Sequence, residues 1–170
     1  MILGKMELEN KLRDLSDISI RKGVGRGISL VQADAKRNCG GFKQSTGELR
    51  GSIFISLEGG GDTVVGTCFT DKKYAPYVEF GTGPVGQANH EGISPDVSVA
   101  YSQNGWIIPG EAMDREKAER YKLGVLEDKE GNPIGYMTNG QAAEPFMYPA
   151  LKDNEDEIVR IIAEEVKKQL

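Results

Sequence analysis

Apolar side chains recur at helical spacing near the start of the chain. Two stripes follow the i, i+4, i+7 pattern of one helix face: Leu8, Leu12 and Leu15, then Val24, Ile28, Val31 and Ala35. This pattern predicts a long N-terminal helix, or two consecutive helices, over residues 3–36. The helix should stop within Asn38–Gly41, because asparagine and glycine are the preferred residues just after a helix.

Three glycines interrupt this predicted helix between the two stripes. Gly23, Gly25 and Gly27 fall within five residues, and each interior glycine costs about 0.5–1 kcal/mol relative to alanine. The cluster predicts a kink or a break near Arg21–Gly27. It fits either a hinge in an exposed helix, which we prefer, or the close approach of a neighbouring helix or subunit.

Two stretches in the middle of the chain have the pattern of β-strands. Ile53, Ile55 and Leu57 alternate along one face of the first, and Thr63–Thr70 is rich in β-branched residues. The intervening segment Glu58–Asp62 contains three glycines and predicts a flexible hairpin loop. These stretches predict a small antiparallel sheet.

A proline and several aromatic residues characterise the next stretch, Tyr74–Gly83. Pro76 has no N–H to donate and disfavours a helical conformation for the residue before it, so the pattern predicts an extended edge segment from Tyr74 to Phe80. Alternation along such a segment places its side chains on two faces: Tyr77 and Glu79 on one, Val78 and Phe80 on the other. Gly81 and Gly83 then predict a sharp reversal with positive φ angles.

Residues 84–140 differ from the preceding sequence, since they contain many turn-forming residues and few regular patterns of apolar positions. We interpret them as a loop-rich excursion from the sheet. Its predicted elements are a strand at Val97–Tyr101 that could pair with Gly105–Pro109, a short surface helix at Glu111–Glu119, a turn at Glu127–Pro133 and a strand at Ile134–Thr138.

A last apolar stripe predicts a C-terminal helix from about Ala150 to Leu170, with Pro149 in its first turn and Phe146 buried at its entrance. The chain is interpreted as a single domain over residues 1–170. Its parts are the N-terminal helix (1–38), the β-sheet core (45–83), the excursion (84–140) and the C-terminal helix (144–170).

The charge balance and the cysteine content narrow the class of protein. The formal net charge is -5, which disfavours a protein that wraps nucleic acid. No apolar run approaches the length of a membrane span, and no signal-peptide pattern opens the chain, so we expect a protein made in the cytosol. Cys39 and Cys68 are expected to be free thiols in that compartment.

Candidate catalytic chemistry is sparse. His90 is the single histidine and lies in a polar loop, which gives a weak candidate for a general base. Glu79 stands between Val78 and Phe80, and a structural ion pair or backbone hydrogen bonds explain it better than catalysis. Cys39, Cys68 and His90 are too scattered for a zinc site, so neither a metal nor a cofactor is predicted.

Three separated segments together resemble one family. They are Ser45–Ile53, which reads Ser-Thr-Gly-Glu-Leu-Arg-Gly-Ser-Ile, the aromatic stretch Tyr74–Gly83, and Pro145–Leu151 with the helix behind it. In order and spacing they are similar to the gene-product-10-like tail components of long-tailed bacteriophages, also called tail-completion, neck or head–tail joining proteins. The resemblance covers most of the chain apart from about 84–135.

The resemblance implies an α+β fold with a long N-terminal helix, a small antiparallel β-sheet and a C-terminal helix packed on that sheet. It implies a structural virion protein of the neck, not an enzyme, made in the bacterial host cytoplasm. Copies would form a homo-oligomeric ring, with a hexamer as one candidate, that binds other neck and tail proteins while DNA passes through the lumen without sequence-specific binding.

The candidate assembly residues are mostly aromatic residues in or near proline-containing segments, where a sheet edge is expected to contact a neighbouring subunit. They are Tyr74, Pro76, Tyr77, Glu79, Phe80, Trp106 and Phe146. Two alternatives stay open at the level of sequence. One is a small hydrolase-like enzyme that uses Glu79 or His90, and the other is a minor capsid or nucleic-acid-associated factor.

Overall fold

The computed structural model describes residues 5–41, 46–60 and 63–168. In the first helix the side chains of residues 5, 7–10 and 12–18 lie outside this description, and with them the stripe Leu8, Leu12 and Leu15. The chain divides into two compact units, a first unit of Met1–Ala75 with Pro145–Leu170 and a second unit of Pro76–Glu144. The single-domain interpretation stays a prediction.

Helix α1 (Lys5–Cys39) runs through the three glycines without interruption, so the predicted break near Arg21–Gly27 is wrong. The reason is its contact with helix α7 (Glu155–Lys167). A Cβ atom on Gly23 would lie 2.8 Å from the Cα atom of Ile162, and one on Gly27 would lie 2.9 Å from Cγ2 of Ile158. The alternative interpretation, close approach of a neighbouring helix, is therefore confirmed, and the hinge is not.

The predicted hairpin is confirmed. Strand β1 (Ile53–Gly60) pairs antiparallel with strand β2 (Thr63–Thr70), and Ile53 lies opposite Thr70. The hairpin packs on α1 through Gly66, where a Cβ atom would lie 3.0 Å from Cγ1 of Val24 and 3.2 Å from Cβ of Ile28. The stripe that contains Val24 and Ile28 thus forms the helix face beneath the sheet, as its spacing predicts.

A short helix α2 (Glu48–Gly51) precedes the hairpin and buries Leu49. Strand β1 extends three residues beyond the predicted Ile53–Leu57, because Glu58–Gly60 continue the pairing with β2. Residues 61–62 of the predicted loop and Ser45 of the motif before the hairpin lie outside the described residues.

The predicted single C-terminal helix is two helices, α6 (Met147–Lys152) and α7, separated at Asp153–Asn154. The Asn154 side chain explains the separation, because its Nδ2 atom donates to the carbonyl oxygen of Ala150 and to Oδ2 of Asp34. That side chain satisfies the end of α6 and ties the junction to α1. Leu170 lies outside the described residues.

The core of the first unit forms where α1, α6 and the hairpin meet. Phe146 is 1% exposed, and such burial of a phenylalanine contributes roughly 1.5–3 kcal/mol. The Asn38 side chain donates to the backbone carbonyl of Phe146 at 3.1 Å, which fixes the entrance to α6. The other fully or nearly buried apolar residues of this core are Val31, Ala35, Cys39, Leu49, Ile53 and Ala150.

The predicted edge segment Tyr74–Phe80 is wrong in its conformation, since Ala75–Phe80 forms helix α3. Pro76 is the second residue of that helix, where a missing N–H leaves no hydrogen bond unmade. The helical period replaces the predicted alternation. Ala75 and Glu79, four residues apart, are both buried, while Tyr77 is 59% exposed.

The second unit contains a three-stranded antiparallel sheet with strand order β3–β5–β4. Tyr136 is fully buried on the central strand, opposite Ile108 on one side and Val125 on the other. The elements of this unit after α3 are helix α4 (Gly83–Ala88), β3 (Trp106–Pro109), a 3₁₀ turn (Gly110–Ala112), α5 (Arg115–Arg120), β4 (Gly124–Glu127) and β5 (Pro133–Thr138).

Residues 84–140 are therefore more regular than a loop-rich excursion. The strands within Gly105–Pro109 and Ile134–Thr138 are confirmed, and they pair with each other. The predicted strand Val97–Tyr101 is wrong, since that segment has no strand conformation and β5 takes its place beside β3. The predicted surface helix Glu111–Glu119 begins later, at Arg115.

Candidate assembly surfaces

An aromatic pair marks the outer face of the β1–β2 hairpin. Phe54 and Phe69 lie directly opposite each other, with ring centroids 6.0 Å apart and a 43° angle between the ring planes. They alternate with residues that face α1, so they point away from it and stay 45% and 43% exposed. Val65, also exposed, extends the same face. Aromatic cross-strand pairs stabilise a hairpin, yet these leave much of their apolar surface in water.

Side chains of α1 occupy part of the β1 edge, since Arg21 donates to the carbonyl oxygens of Leu57 and Gly59 and Gln32 donates to that of Ile53. Within the described residues no third strand pairs with either edge of this hairpin, since its sheet has two strands. Each strand therefore presents one row of backbone N–H and C=O groups without a strand partner. Such edges are templates for pairing with another chain. The first unit thus combines an apolar hairpin face with a β2 edge that has no strand partner.

A second exposed apolar face lies on the sheet of the second unit. Ile107 on β3 and Met137 on β5 are opposite each other and exposed. A Cβ atom on Gly135 would lie 2.7 Å from Cγ2 of Ile107 and 3.9 Å from Cδ1 of Leu126. Side chains from both outer strands therefore lie over the central glycine and form a continuous apolar strip.

The residues of helix α3 differ in accessibility. Tyr77 and Pro76 are exposed, and Phe80 is half-buried. Glu79 is 6% exposed and has interaction partners, as expected for a buried carboxylate. Of this helix, Tyr77 is the aromatic side chain most available to another molecule.

The remaining predicted assembly residues lie in three different settings. Tyr74 is exposed just before α3, and burial of its hydroxyl raises its pKa. Trp106 is exposed on β3, although one edge of its ring packs against Gly83. Phe146 is buried in the first unit, so it contacts its own fold. An assembly role for these residues stays a prediction.

Backbone contacts close the base of the second unit. The amide of Glu144 donates to the carbonyl of Val78 at 2.8 Å, and Thr82 forms a bridge with Gln141. Gly81 and Gly83 have φ angles of 73° and 60°, which confirms their predicted conformation. The start and the end of this unit therefore lie side by side.

A cluster of charges surrounds Glu165 on α7. This carboxylate is 3% exposed and pairs with Lys168 at 2.7 Å, with Arg26, and with Lys22 at 3.4 Å. These hydrogen bonds, that from Lys168 foremost, lower the pKa of Glu165 to about 2 against the opposing effect of desolvation. The cluster ties α1 to α7 beside the glycine contact.

The contacts of the histidine and the two cysteines matter here, because these side chains were the candidates for catalysis or metal binding. The His90 ring is exposed and stacks on Tyr101 with centroids 5.7 Å apart, and its Nδ1 atom lies 3.2 Å from the carbonyl oxygen of Gly86. Cys39 and Cys68 are free, and burial raises the pKa of the Cys68 thiol, which lowers its reactivity. Among residues 5–41, 46–60 and 63–168, no His, Cys, Asp and Glu side chains gather as a metal site would require.

Sequence reasoning missed the Phe54–Phe69 pair and the Glu165 cluster. The pair had a usable signal, because a phenylalanine that alternates with Ile53 and Ile55 must lie on the opposite face of the strand. The cluster had none, since its members are about 140 residues apart in the chain. Of the helices within the described residues, none has the length and apolarity to cross a bilayer.

Comparison with known proteins identifies the first part of the chain. Residues 5–81, a little under half of the chain, match the family described as "Bacteriophage HK97-gp10, putative tail-component". The match includes α1, the hairpin and α3, whereas the third motif, Pro145–Leu151, lies outside it. No curated protein and no solved structure matches the chain significantly. The resemblance of the motifs is thus confirmed over residues 5–81, where the chain is similar to this family of phage tail components.

Proposed function

We propose that this tail component is a structural protein of the phage neck that takes part in tail completion and head-to-tail joining. Copies assemble into a homo-oligomeric ring in the virion and contact other neck and tail proteins. The role is one of protein–protein contact and not of catalysis. The observation that carries the proposal is the exposed Phe54–Phe69 pair, inside the matched region, on a hairpin whose β2 edge has no strand partner in the described residues.

The hairpin supports ring contacts for two reasons. The β2 edge of one copy can pair with an extended segment of the next copy in the same sense around a closed ring, which is a heterologous contact. The aromatic pair lies on the outer face of that sheet, so a neighbour that extends the sheet also covers the rings. Burial of the exposed halves of both phenylalanines would contribute roughly 1.5–3 kcal/mol for each copy.

The test replaces both phenylalanines with threonine, which keeps the β-propensity of the strands. In a host cell that supplies the variant to a phage lacking this gene, Phe54→Thr with Phe69→Thr should reduce the fraction of heads with joined tails at least tenfold, as counted by electron microscopy. Val159→Thr, a matched change at an exposed apolar residue of α7, should leave the fraction unchanged. Wild-type joining by the double variant, with a normal unfolding transition, would rule out the hairpin as the contact.

The predicted assembly residues include exposed and buried side chains, and substitutions in the two groups should have different effects. Tyr77→Ala should reduce tail joining while the free protein keeps its stability, because the side chain is exposed. Phe146→Ala should instead lower the free energy of unfolding by about 3–5 kcal/mol, since it opens a cavity in the first unit. Normal tail joining by Tyr77→Ala would remove Tyr77 from the contact surface.

A further inference from the structure

An open groove of about 950 Å³ runs along the first unit, where α1 lies between the end of strand β1 and helix α7. Its floor is formed by α1 at Gly25, which is half-buried, and Ser29, which is exposed. Its apolar walls are Leu57 from the hairpin, Leu30 from α1 and Ile161 from α7. The groove is separate from the outer hairpin face. Phe54 and Glu58 point to the outer face of β1, whereas Leu57 points to the opposite face, towards α1.

Positive charge is concentrated along this groove. Arg21, Lys22 and Arg26 line it with one acidic residue, Glu157, which gives a formal charge of +2 where the whole chain carries -5. Arg21 is held in place by donating to the carbonyl oxygens of Gly59 at 2.8 Å and Leu57 at 3.2 Å. Those acceptors are neutral carbonyls, so the charge of Arg21 remains uncompensated by them.

The other charged residues of the groove are held in position by ion pairs. Lys22 and Arg26 share one carboxylate, Glu165, so their combined charge exceeds that of their partner. Glu157 is already bound by Arg160 on its own helix, and this lowers the pKa of Glu157. The groove therefore offers two unmatched positive charges next to an apolar surface.

We propose that this groove binds an acidic amphipathic helical segment of a partner protein. Apolar side chains on one face of the segment pack against Leu30, Leu57 and Ile161. Carboxylates beside that face lie close to Arg21, Lys22 and Arg26. Ser29, the small exposed residue of the floor, lets a helix approach closely, and helices bind in such grooves through apolar anchors at i, i+3, i+4 and i+7.

The chemistry of the groove favours a protein segment over nucleic acid. Three aliphatic side chains form its walls, and a phosphate backbone has no apolar surface to cover them. A short run of cations also falls short of the extended basic surface that nucleic-acid binding requires. This inference does not depend on the ring, since the groove is complete in one copy of the first unit.

The experiment uses the full chain and a fluorescein-labelled synthetic peptide of about 18 residues, long enough for five helical turns. The probe has leucines on one face and glutamates on both flanks, and a second peptide carries lysine at every glutamate position. Fluorescence anisotropy should show saturable binding of the acidic peptide with a Kd on the order of 10 µM. The lysine peptide should bind at least tenfold more weakly, and added salt should weaken the acidic peptide.

Variants at the groove floor locate the binding site. Ser29→Glu places a larger, negative side chain in the groove and should weaken binding of the acidic peptide at least tenfold, while Ser29→Ala should change it less than twofold. Lys117→Gln, which makes the net charge more negative by the same one unit on exposed helix α5, should also change it less than twofold. Circular dichroism should show that Ser29→Glu keeps the helix content of the parent protein.

Four outcomes would overturn the proposal. One is the absence of saturable binding of the acidic peptide, and another is equal binding of the two peptides. A third is undiminished binding to a folded Ser29→Glu variant. The fourth is displacement of the peptide by duplex DNA or by unlabelled copies of this chain at lower concentration than by unlabelled peptide, which would assign the groove to nucleic acid or to self-association.

Discussion

Two glycine-rich regions of the molecule use glycine in opposite ways. Gly23 and Gly27 in α1 have ordinary helical backbone angles, and what matters there is the missing side chain, because Ile162 and Ile158 of α7 occupy its place. Gly81 and Gly83 have positive φ angles, so the backbone conformation itself requires glycine. The first region depends on a contact with a distant segment, and the second on local geometry.

This difference explains why one region could be predicted and the other could not. A glycine at which a helix ends and the chain reverses can be predicted from the residues on either side of it. A glycine that admits another helix looks the same in sequence as one that breaks a helix. The contact partners of Gly23 and Gly27 lie more than 130 residues away, so no window around these glycines contains the information.

The largest effect should follow from Gly81→Ala. The substitution forces alanine to a φ of 73° and places its Cβ atom 2.7 Å from the amide nitrogen of Ala143. Strain and overpacking together should lower the free energy of unfolding by roughly 2–5 kcal/mol. Trp106 is the single tryptophan and lies in the second unit, so its fluorescence during urea unfolding reports this loss. A midpoint equal to that of the parent would show that Gly81 is not constrained.

A smaller effect is expected for Gly23→Ala, because two contributions oppose each other. Contact with the backbone of Ile162 should cost about 1–3 kcal/mol, whereas alanine is favoured in a helix by roughly 0.5–1 kcal/mol. The net loss should be about 1–2 kcal/mol in urea unfolding followed by far-UV circular dichroism, which is dominated by α1 and α7.

Gly25→Ala is the matched control for that experiment. Its Cβ atom would lie 3.1 Å from Cδ1 of Leu57, the movable end of a side chain, so the helix-propensity gain should prevail and stability should stay equal or rise by up to about 1 kcal/mol. Equal losses for Gly23→Ala and Gly25→Ala would show that α7 does not distinguish the two faces of α1.

The last effect is the response of the α1–α7 contact to acid. Because the pKa of Glu165 is lowered from 4.5 to about 2 in the folded protein, its contribution to stability is complete above pH 4.5 and is lost as pH falls towards 2. In that range the unfolded chain binds the additional proton, so acid favours unfolding. As the pH is lowered from 4.5 to 2, the urea midpoint measured by circular dichroism should therefore decrease more steeply for the parent than for Glu165→Gln. Identical slopes for the two proteins would contradict a stabilising role of the Glu165 carboxylate.

Much of the fold could be predicted from local patterns. The spacing of Val24, Ile28 and Val31 predicted the helix face under the sheet, and alternation predicted β1 and β2. The edge-strand prediction for Tyr74–Phe80 failed because Pro76 disfavours a helix interior but not its first turn. One proline is compatible with both structures, and the burial of Ala75 and Glu79 at helical spacing decides between them.

The candidate surfaces were less predictable than the fold. The sequence pointed to aromatic residues near prolines, yet Phe146 is buried while Phe54 and Phe69 are exposed. Aromatic content alone does not separate a core anchor from a contact residue, because both bury large apolar areas somewhere. The position of each residue relative to α1 decides its role, and that position arises from tertiary packing.

The hydrogen bond between Glu144 and Val78 affects how the gene for this protein can recombine. Because the second unit starts and ends at one place, a gene segment encoding it can be gained, lost or exchanged by recombination without redirecting the rest of the chain. The family match ends at residue 81, just after this junction. The matched part thus contains the first helix and the hairpin, and most of the second unit lies beyond it.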